Sequence, residues 1–233
     1  VVVAITYDNG STEGSDDYVA TTTTVTIPAG ATQVLIPIST VEDTTNEPTE
    51  SFTINGTVTA GTTSNATATG TGTINDDDAL PALTIGDDTV TEGDAISIPV
   101  TLSNPSSEDV VVAITYDNGS TEGADDYVAT TTTVTIPAGA TQVLIPISTV
   151  EDTTNEPTES FTINGTVTAG TTSNATATGT GTINDDDDVP AITLGDVTVT
   201  EGTDPTAVIP VTLSNPSDED VDVTVTLTSG TAG

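Results

Sequence analysis

The sequence predicts an all-β protein built from tandem β-sandwich modules, and three observations carry that prediction. Thr makes up about a quarter of the 233 residues, with Val and Ile frequent beside it, which is strand composition. Apolar and polar residues alternate in short runs, and no stretch shows a 3.6-residue apolar period. Residues 1–78 recur as 110–187, an offset of 109 residues, and differ only in Ser15 against Ala124.

A third copy opens near Val189, where residues 190–196 echo 81–87 and residues 211–216 echo 100–105, with two extra residues before Pro210. The expected organisation is a module without its first strands (1–78), a complete module (79–187) and the opening part of a third (188–233). We read the chain as a window on a longer array with a period of about 109 residues.

In the complete module the predicted strands are 82–85, 95–102, 109–116, 131–136, 142–148, 160–167 and 174–183. Alternation is clearest in Ile96-Ser97-Ile98-Pro99-Val100-Thr101-Leu102 and in Val143-Leu144-Ile145-Pro146-Ile147. Turn signals separate the runs: Asn104-Pro105, Asp117-Asn118-Gly119, Pro137-Ala138-Gly139 and Ala169-Gly170. Asn118-Gly119 reads as a turn with positive φ angles. In the last strand Thr residues point outward and small residues inward, as any half-buried strand requires. Pro99 and Pro146 interrupt strand-like runs, so edges or bulges are expected there. Short strands spaced by ~8–12 residues in a unit of this size read as an immunoglobulin-like β-sandwich. Phe161, Tyr116 and Tyr127 are its only aromatics. The core is light and its stability modest.

Charge is the second theme. The chain holds 36 Asp and Glu and no Lys, Arg or His, so only the N-terminal amine can form a salt bridge. Two carboxylates 4 Å apart repel by ~1 kcal/mol in water and by several times that near a partly dry surface. Several such contacts would offset much of a domain's net ~5–15 kcal/mol. Runs such as Asp76-Asp77-Asp78 and Asp185-Asp186-Asp187-Asp188 therefore ask for a cation. Regular apolar alternation argues against the disorder that acidic chains often show. The charge also argues against nucleic acid and anionic membranes. No apolar run approaches the ~20 residues of a membrane span. With no Cys there are no disulfides and no thiolate metal sites. Paired carboxylates can cleave glycosides, but a chain without Trp lacks the usual sugar platform, so no enzyme and no catalytic residue is expected.

The acids gather in loops. Glu92 stands in Thr91-Glu92-Gly93, Asp125-Asp126 precede Tyr127, Glu151-Asp152 and Glu156 follow the 142–148 strand, and Glu159 opens the next. In a sandwich of alternating strands these loops converge at the tip that joins the next module. Calcium accepts six to eight oxygens at ~2.3–2.6 Å in irregular geometry, whereas magnesium is stricter and zinc prefers His or Cys.

The ordered set Val90-Thr91-Glu92-Gly93-Asp94, Val100-Thr101-Leu102-Ser103-Asn104-Pro105, Asp125-Asp126-Tyr127, Val134-Thr135-Ile136-Pro137-Ala138-Gly139, Glu151-Asp152 with Glu156, Glu159-Ser160-Phe161 and Gly181-Thr182-Ile183-Asn184-Asp185-Asp186 resembles the Calx-beta domain. That domain occurs in sodium/calcium exchangers and in large bacterial surface proteins. The resemblance implies calcium ligands at Glu92, Asp126, Asp152, Glu156, Glu159, Asp185, Asp186 and Asp187. In the first module it implies Asp17, Asp43, Glu47, Glu50, Asp76, Asp77 and Asp78, and in the third Glu201. The 151–156 loop is less acidic than in the exchanger sensors, which implies roughly one to three ions per boundary. Asp125 and Glu151 are either ligands or solvated neighbours; Asp94, Glu108 and Asp109 read as plain surface charge.

The function these features imply is a calcium-binding segment of a secreted bacterial adhesin or surface filament, with Ca2+ fixing the joints between modules. Its expected partners are calcium ions, neighbouring modules of the same chain and other copies in a fibre; its expected location is extracellular. A regulatory calcium sensor attached to a transporter or enzyme is the alternative, and lateral self-assembly a third reading. Asn-X-Ser/Thr matches at Asn118, Asn164 and Asn174 are expected by chance in so Thr-rich a chain.

Overall fold

In the second copy Ile96, Ile98, Val100 and Leu102 project from one face of a single strand, and every one of them is buried. This period of two organises the molecule. The computed structural model describes residues 1–204, 206–228 and 230, and no helix occurs among them. The first copy contains β1 (Val2–Asp8), β2 (Tyr18–Val19), β3 (Thr24–Thr26), β4 (Ser39–Thr40), β5 (Glu50–Ala60) and β6 (Thr67–Ile74). The second contains β7 (Leu83–Ile85), β8 (Asp88–Thr91), β9 (Ala95–Leu102), β10 (Val110–Asp117), β11 (Tyr127–Val128), β12 (Thr133–Ile136), β13 (Gln142–Thr149), β14 (Glu159–Ala169) and β15 (Thr176–Asn184). The third copy contributes β16 (Ile192–Leu194) and β17 (Val211–Leu213).

The second copy is a two-sheet sandwich. One sheet has the order β12-β10-β14-β15-β8 and the other β11-β13-β9-β7. Its core lies between them, where Val110, Val112, Ile114, Phe161 and Ile163 of one sheet meet Ile96, Ile98, Val100, Ile145 and Ile147 of the other. At ~25 cal/mol per Å² of apolar area, burial of such side chains is the main term holding the sandwich together. The tip of the Phe161 ring lies against Gly181, where any side chain would strike it, and Tyr127 stacks on the ring with centroids 4.0 Å apart.

All seven predicted strands of this module form, and Ala95–Leu102 forms with the expected bounds. Two more appear. After β7 the chain crosses between sheets at Gly86-Asp87, and β8 pairs in parallel with β15 from Gly181↔Asp88 to Asn184↔Thr91. That crossing brings the Gly86 carbonyl against Gly179, leaving no room for a Cβ there. β11 is a two-residue strand on the edge of β13.

Pro99 and Pro146 lie on strands with neighbours on both sides, contrary to the edge or bulge expected. They are tolerated because those neighbours are short. β7 pairs only with residues 100–102 of β9, and β11 only with residues 148–149 of β13. At the Asn118-Gly119 turn, Gly119 has φ +63° while Asn118 keeps a negative φ, so the expected pair of positive angles reduces to one.

Candidate metal centre

Strand pairing alone places the first carboxylate group. Because β8 runs beside β15, Glu92 at its end donates its backbone N–H to Asn184 O at 3.0 Å and stands next to the closing Asp run. Carboxylate oxygens of Glu92, Asp186 and Asp187 lie within 4.8 Å of one another. Glu92 is only 7% exposed, and its Oε1, like Asp187 Oδ2, is buried with no hydrogen-bond partner. Burial pushes the Glu92 carboxyl up to about 7; the charges of Asp185, Asp152 and Asp187 add to this, and a bond from the Asp186 backbone opposes it. A buried, unpartnered carboxylate oxygen costs stability unless something positive meets it.

The second group is built from loops. Asp126 N–H donates to Gly123 O at 3.2 Å in a tight turn whose glycine has φ +80°, and Val150 N–H donates to Asp126 O at 2.8 Å. The Asp126 carboxylate accepts from Glu122 N–H. So fixed, it meets Glu156 and Glu159, the latter at the start of β14, and the three present oxygens within 4.8 Å of one another. Burial pushes Glu156 up to about 7, with the charges of Asp152, Asp126, Asp218 and Asp185 behind it. Glu159 is raised by burial and by Asp126, with which it shares a hydrogen bond. Asp152 and Asp185 act on both Glu92 and Glu156, so the two groups form one field of negative charge.

In the first copy Asp17, Glu47 and Glu50 repeat the second group residue for residue. All the acids expected there, including Asp43, Asp76, Asp77 and Asp78, line one open cleft of about 350 Å³. Within the 233 residues the first copy has no counterpart of Glu92.

A Calx-beta domain model matches residues 1–78 and again residues 76–187. The chain belongs to the Calx-beta family. Among solved structures it is similar to the apo-form Calx CBD1 domain at 20% identity, covering 47% of this chain and 100% of that one with a TM-score of 0.41. It is also similar to CBD12 of CALX1.2, at 17% identity over 57% of this chain and 70% of that one, with a TM-score of 0.39. No curated protein matches it.

The donors in this Calx-beta chain suit a hard divalent cation. Every side chain in the two groups offers carboxylate oxygen, nitrogen and sulfur ligands are absent from the sequence, and the spacing is irregular. The structure does not bring Glu201 of the third copy to such a group among the described residues; it is exposed, and the described residues of that copy form no counterpart of β15 to lie beside it. Asp125 is exposed. Glu151 lies over Gly93, where a Cβ would come within 2.5 Å of its Oε2, and its carboxyl is raised first by desolvation and then by Asp186, Asp187, Asp152 and Asp94.

Sequence reasoning missed the residue that ties this Calx-beta site to the next module. Asn46 Nδ2 donates to Asp76 Oδ2 at 2.9 Å, while its backbone N–H donates to Pro105 O and its carbonyl accepts from Ser107 N–H, each at 3.0 Å. Asn155 repeats this with Asp185 Oδ2 at 2.9 Å, Pro216 O at 3.2 Å and Asp218 N–H at 3.1 Å. One signal was available: Asn46 and Asn155 are the one amide side chain in a repeated loop otherwise made of acids, Thr and a Pro.

Proposed function

We propose that this chain is a calcium-binding structural segment of an extracellular adhesin or surface filament, whose modules are locked to one another at acidic joints. It binds and bears load; it catalyses nothing. One observation carries the reading: Asn46 and Asn155 each hold an Asp of the closing run with their side chain and the next module with their backbone. The order of the acidic site and the seating of the following module are thus linked through one residue.

Asp126, Glu156 and Glu159 would hold one ion, and Glu92, Asp186 and Asp187 another, with Asp152 and Asp185 between them. Asp17, Glu47 and Glu50 would do the same in the first copy. Calcium, when bound, supplies the positive charge that this sequence lacks. The loops then no longer repel, Asp185 keeps its bond to Asn155, and Asn155 keeps its grip on the third module. Dissociation constants of ~10⁻⁴–10⁻³ M, usual for extracellular calcium modules, are enough for that task.

Small-angle scattering of the 233-residue chain with calcium and then with chelator tests the proposal. Stiff joints give a larger and better-defined maximum dimension in calcium. An unchanged scattering curve removes the mechanical role. Micromolar affinity by calorimetry would favour the sensor reading instead.

A further inference from the structure

All four tyrosines of the chain stand in two equivalent places. In the second copy the rings of Tyr116 and Tyr127 have centroids 6.4 Å apart and planes tilted by 54°; in the first, Tyr7 and Tyr18 are 6.4 Å apart and tilted by 55°. Each pair lines an open pocket, of about 300 Å³ in the second copy and about 290 Å³ in the first. The lining comes only from segments that both copies possess, so the pocket forms in both. One lining position is Ala124 in the second copy and Ser15 in the first, the single place where residues 110–187 and 1–78 differ.

The lining defines what fits. Tyr116 Oη donates to Thr131 O at 3.1 Å and Tyr127 Oη to Asn118 Oδ1 at 2.8 Å, and the first copy repeats both bonds. With the hydroxyls engaged inside the protein, the tyrosines offer ring carbon more than hydrogen bonds. Val128 leaves about half its surface open beside them, next to Ala129. Such walls suit an aliphatic stem and offer little to a sugar, whose hydroxyls need partners. The rim is acidic: Asp117 adjoins Tyr116 and Asn118 in the chain, Glu122 and Asp125 bracket Gly123-Ala124, and all three acids are exposed. Burial, and then the charges of Asp117 and Asp126, push the Tyr127 hydroxyl up. An apolar pocket walled by tyrosine and rimmed by acids is complementary to a methylene stem that ends in a cation.

We propose that each tyrosine pocket takes an arginine or lysine side chain of a partner protein. The partner is a different protein, because this chain contains neither residue. The stem lies against Val128 and the tyrosines, and the cation reaches the acids of the rim. Neither Glu156 nor Glu159 lines the pocket, and the proposal does not depend on the calcium reading.

Tyrosine fluorescence of the whole chain tests this, since every tyrosine lines one of the two pockets. Three probes separate the contributions: a short peptide with one arginine between glycines, the same peptide with norleucine, which keeps the stem without the charge, and guanidinium, which keeps the charge without the stem. The arginine peptide should give a saturating change, and each of the other two should bind more weakly by about tenfold. Ser15→Leu combined with Ala124→Leu fills both pockets from exposed positions, so the fold is kept, and circular dichroism checks it. That variant should lose the response. Norleucine binding as tightly as arginine overturns the cationic occupant, and guanidinium binding as tightly overturns the role of the apolar walls. A response that survives in the leucine variant places the binding elsewhere and overturns the pocket, as does the absence of any response. None of these outcomes touches the calcium reading, which calorimetry with calcium tests separately.

Discussion

Residues 33–38 and 142–147 share the sequence Gln-Val-Leu-Ile-Pro-Ile and take up different structures. In the second copy the run forms most of β13, with Ile145 and Ile147 almost fully buried. In the first copy residues 33–38 form no strand, Ile36 and Ile38 are half-buried, and Leu35 is 77% exposed. Local propensity is the same in both, so it does not decide the outcome. The partner does: β13 pairs with β9 from Gln142↔Thr101 to Ser148↔Ala95, and the first copy has no counterpart of β9 within the 233 residues. By contrast β5 and β14, whose neighbours exist in both copies, have corresponding bounds at Glu50–Ala60 and Glu159–Ala169. A strand here is a property of a pair. The acidic trios follow the same logic. Asp17, Glu47 and Glu50 meet with only the β2–β4 pair of the second sheet beside them, whereas the Glu92 group needs β8.

The largest effect expected is that of giving residues 33–38 a strand to pair with. Placing a copy of residues 79–109 ahead of Val1 should turn residues 33–40 into a paired strand. Their amide exchange should then slow by about a hundredfold or more, as open backbone becomes ladder. Unchanged exchange would show that position in the chain, rather than a partner, sets the difference.

Core truncation is the next largest effect. Phe161→Ala should cost the second module ~3–5 kcal/mol in denaturant unfolding, since its buried ring packs against both Gly181 and Tyr127. Phe52→Ala should cost less, because the first copy has no complete opposing sheet.

The two modules should also differ in their response to pH. Glu92 and Glu156 are pushed up to about 7 from an ordinary 4.5. Between those values the folded chain holds protons that the unfolded chain has released. Their contribution to stability is therefore fully present below the ordinary value and lost as pH rises through about 7. In chelator, melting temperature should fall from pH 5 to pH 8, and more for the second module, which has Glu92. In calcium the fall should shrink or reverse, since ions compete with those protons.

The smallest effect expected is that of Ser15→Ala, which removes the single difference between the copies at an exposed position. Its effect on stability should lie within ~0.5 kcal/mol.

Most of the second module was legible because its strands alternate and its turns carry Asn, Gly and Pro. β8 was not, since Asp88-Thr89-Val90-Thr91 offers a single large apolar residue and pairs in parallel with a distant strand. The loops that gather acids were legible from the repeat itself. How those acids divide into two groups was not, because that depends on β8 setting Glu92 beside Asp186. Asn155 was passed over for a related reason: only its bridge to Ser217 shows that its loop meets the following module.

The parallel pairing of β8 with β15 has a mechanical consequence. β8 lies near the point where the chain enters the module, and β15 is the strand by which it leaves. Tension on the two ends draws Asp88 one way and Asn184 the other, along the common axis of the two strands. The hydrogen bonds between Gly181↔Asp88 and Asn184↔Thr91 are then loaded in shear, together, instead of being peeled apart in succession. A pulled module resists at this seam first, and Glu92 stands at the end of it.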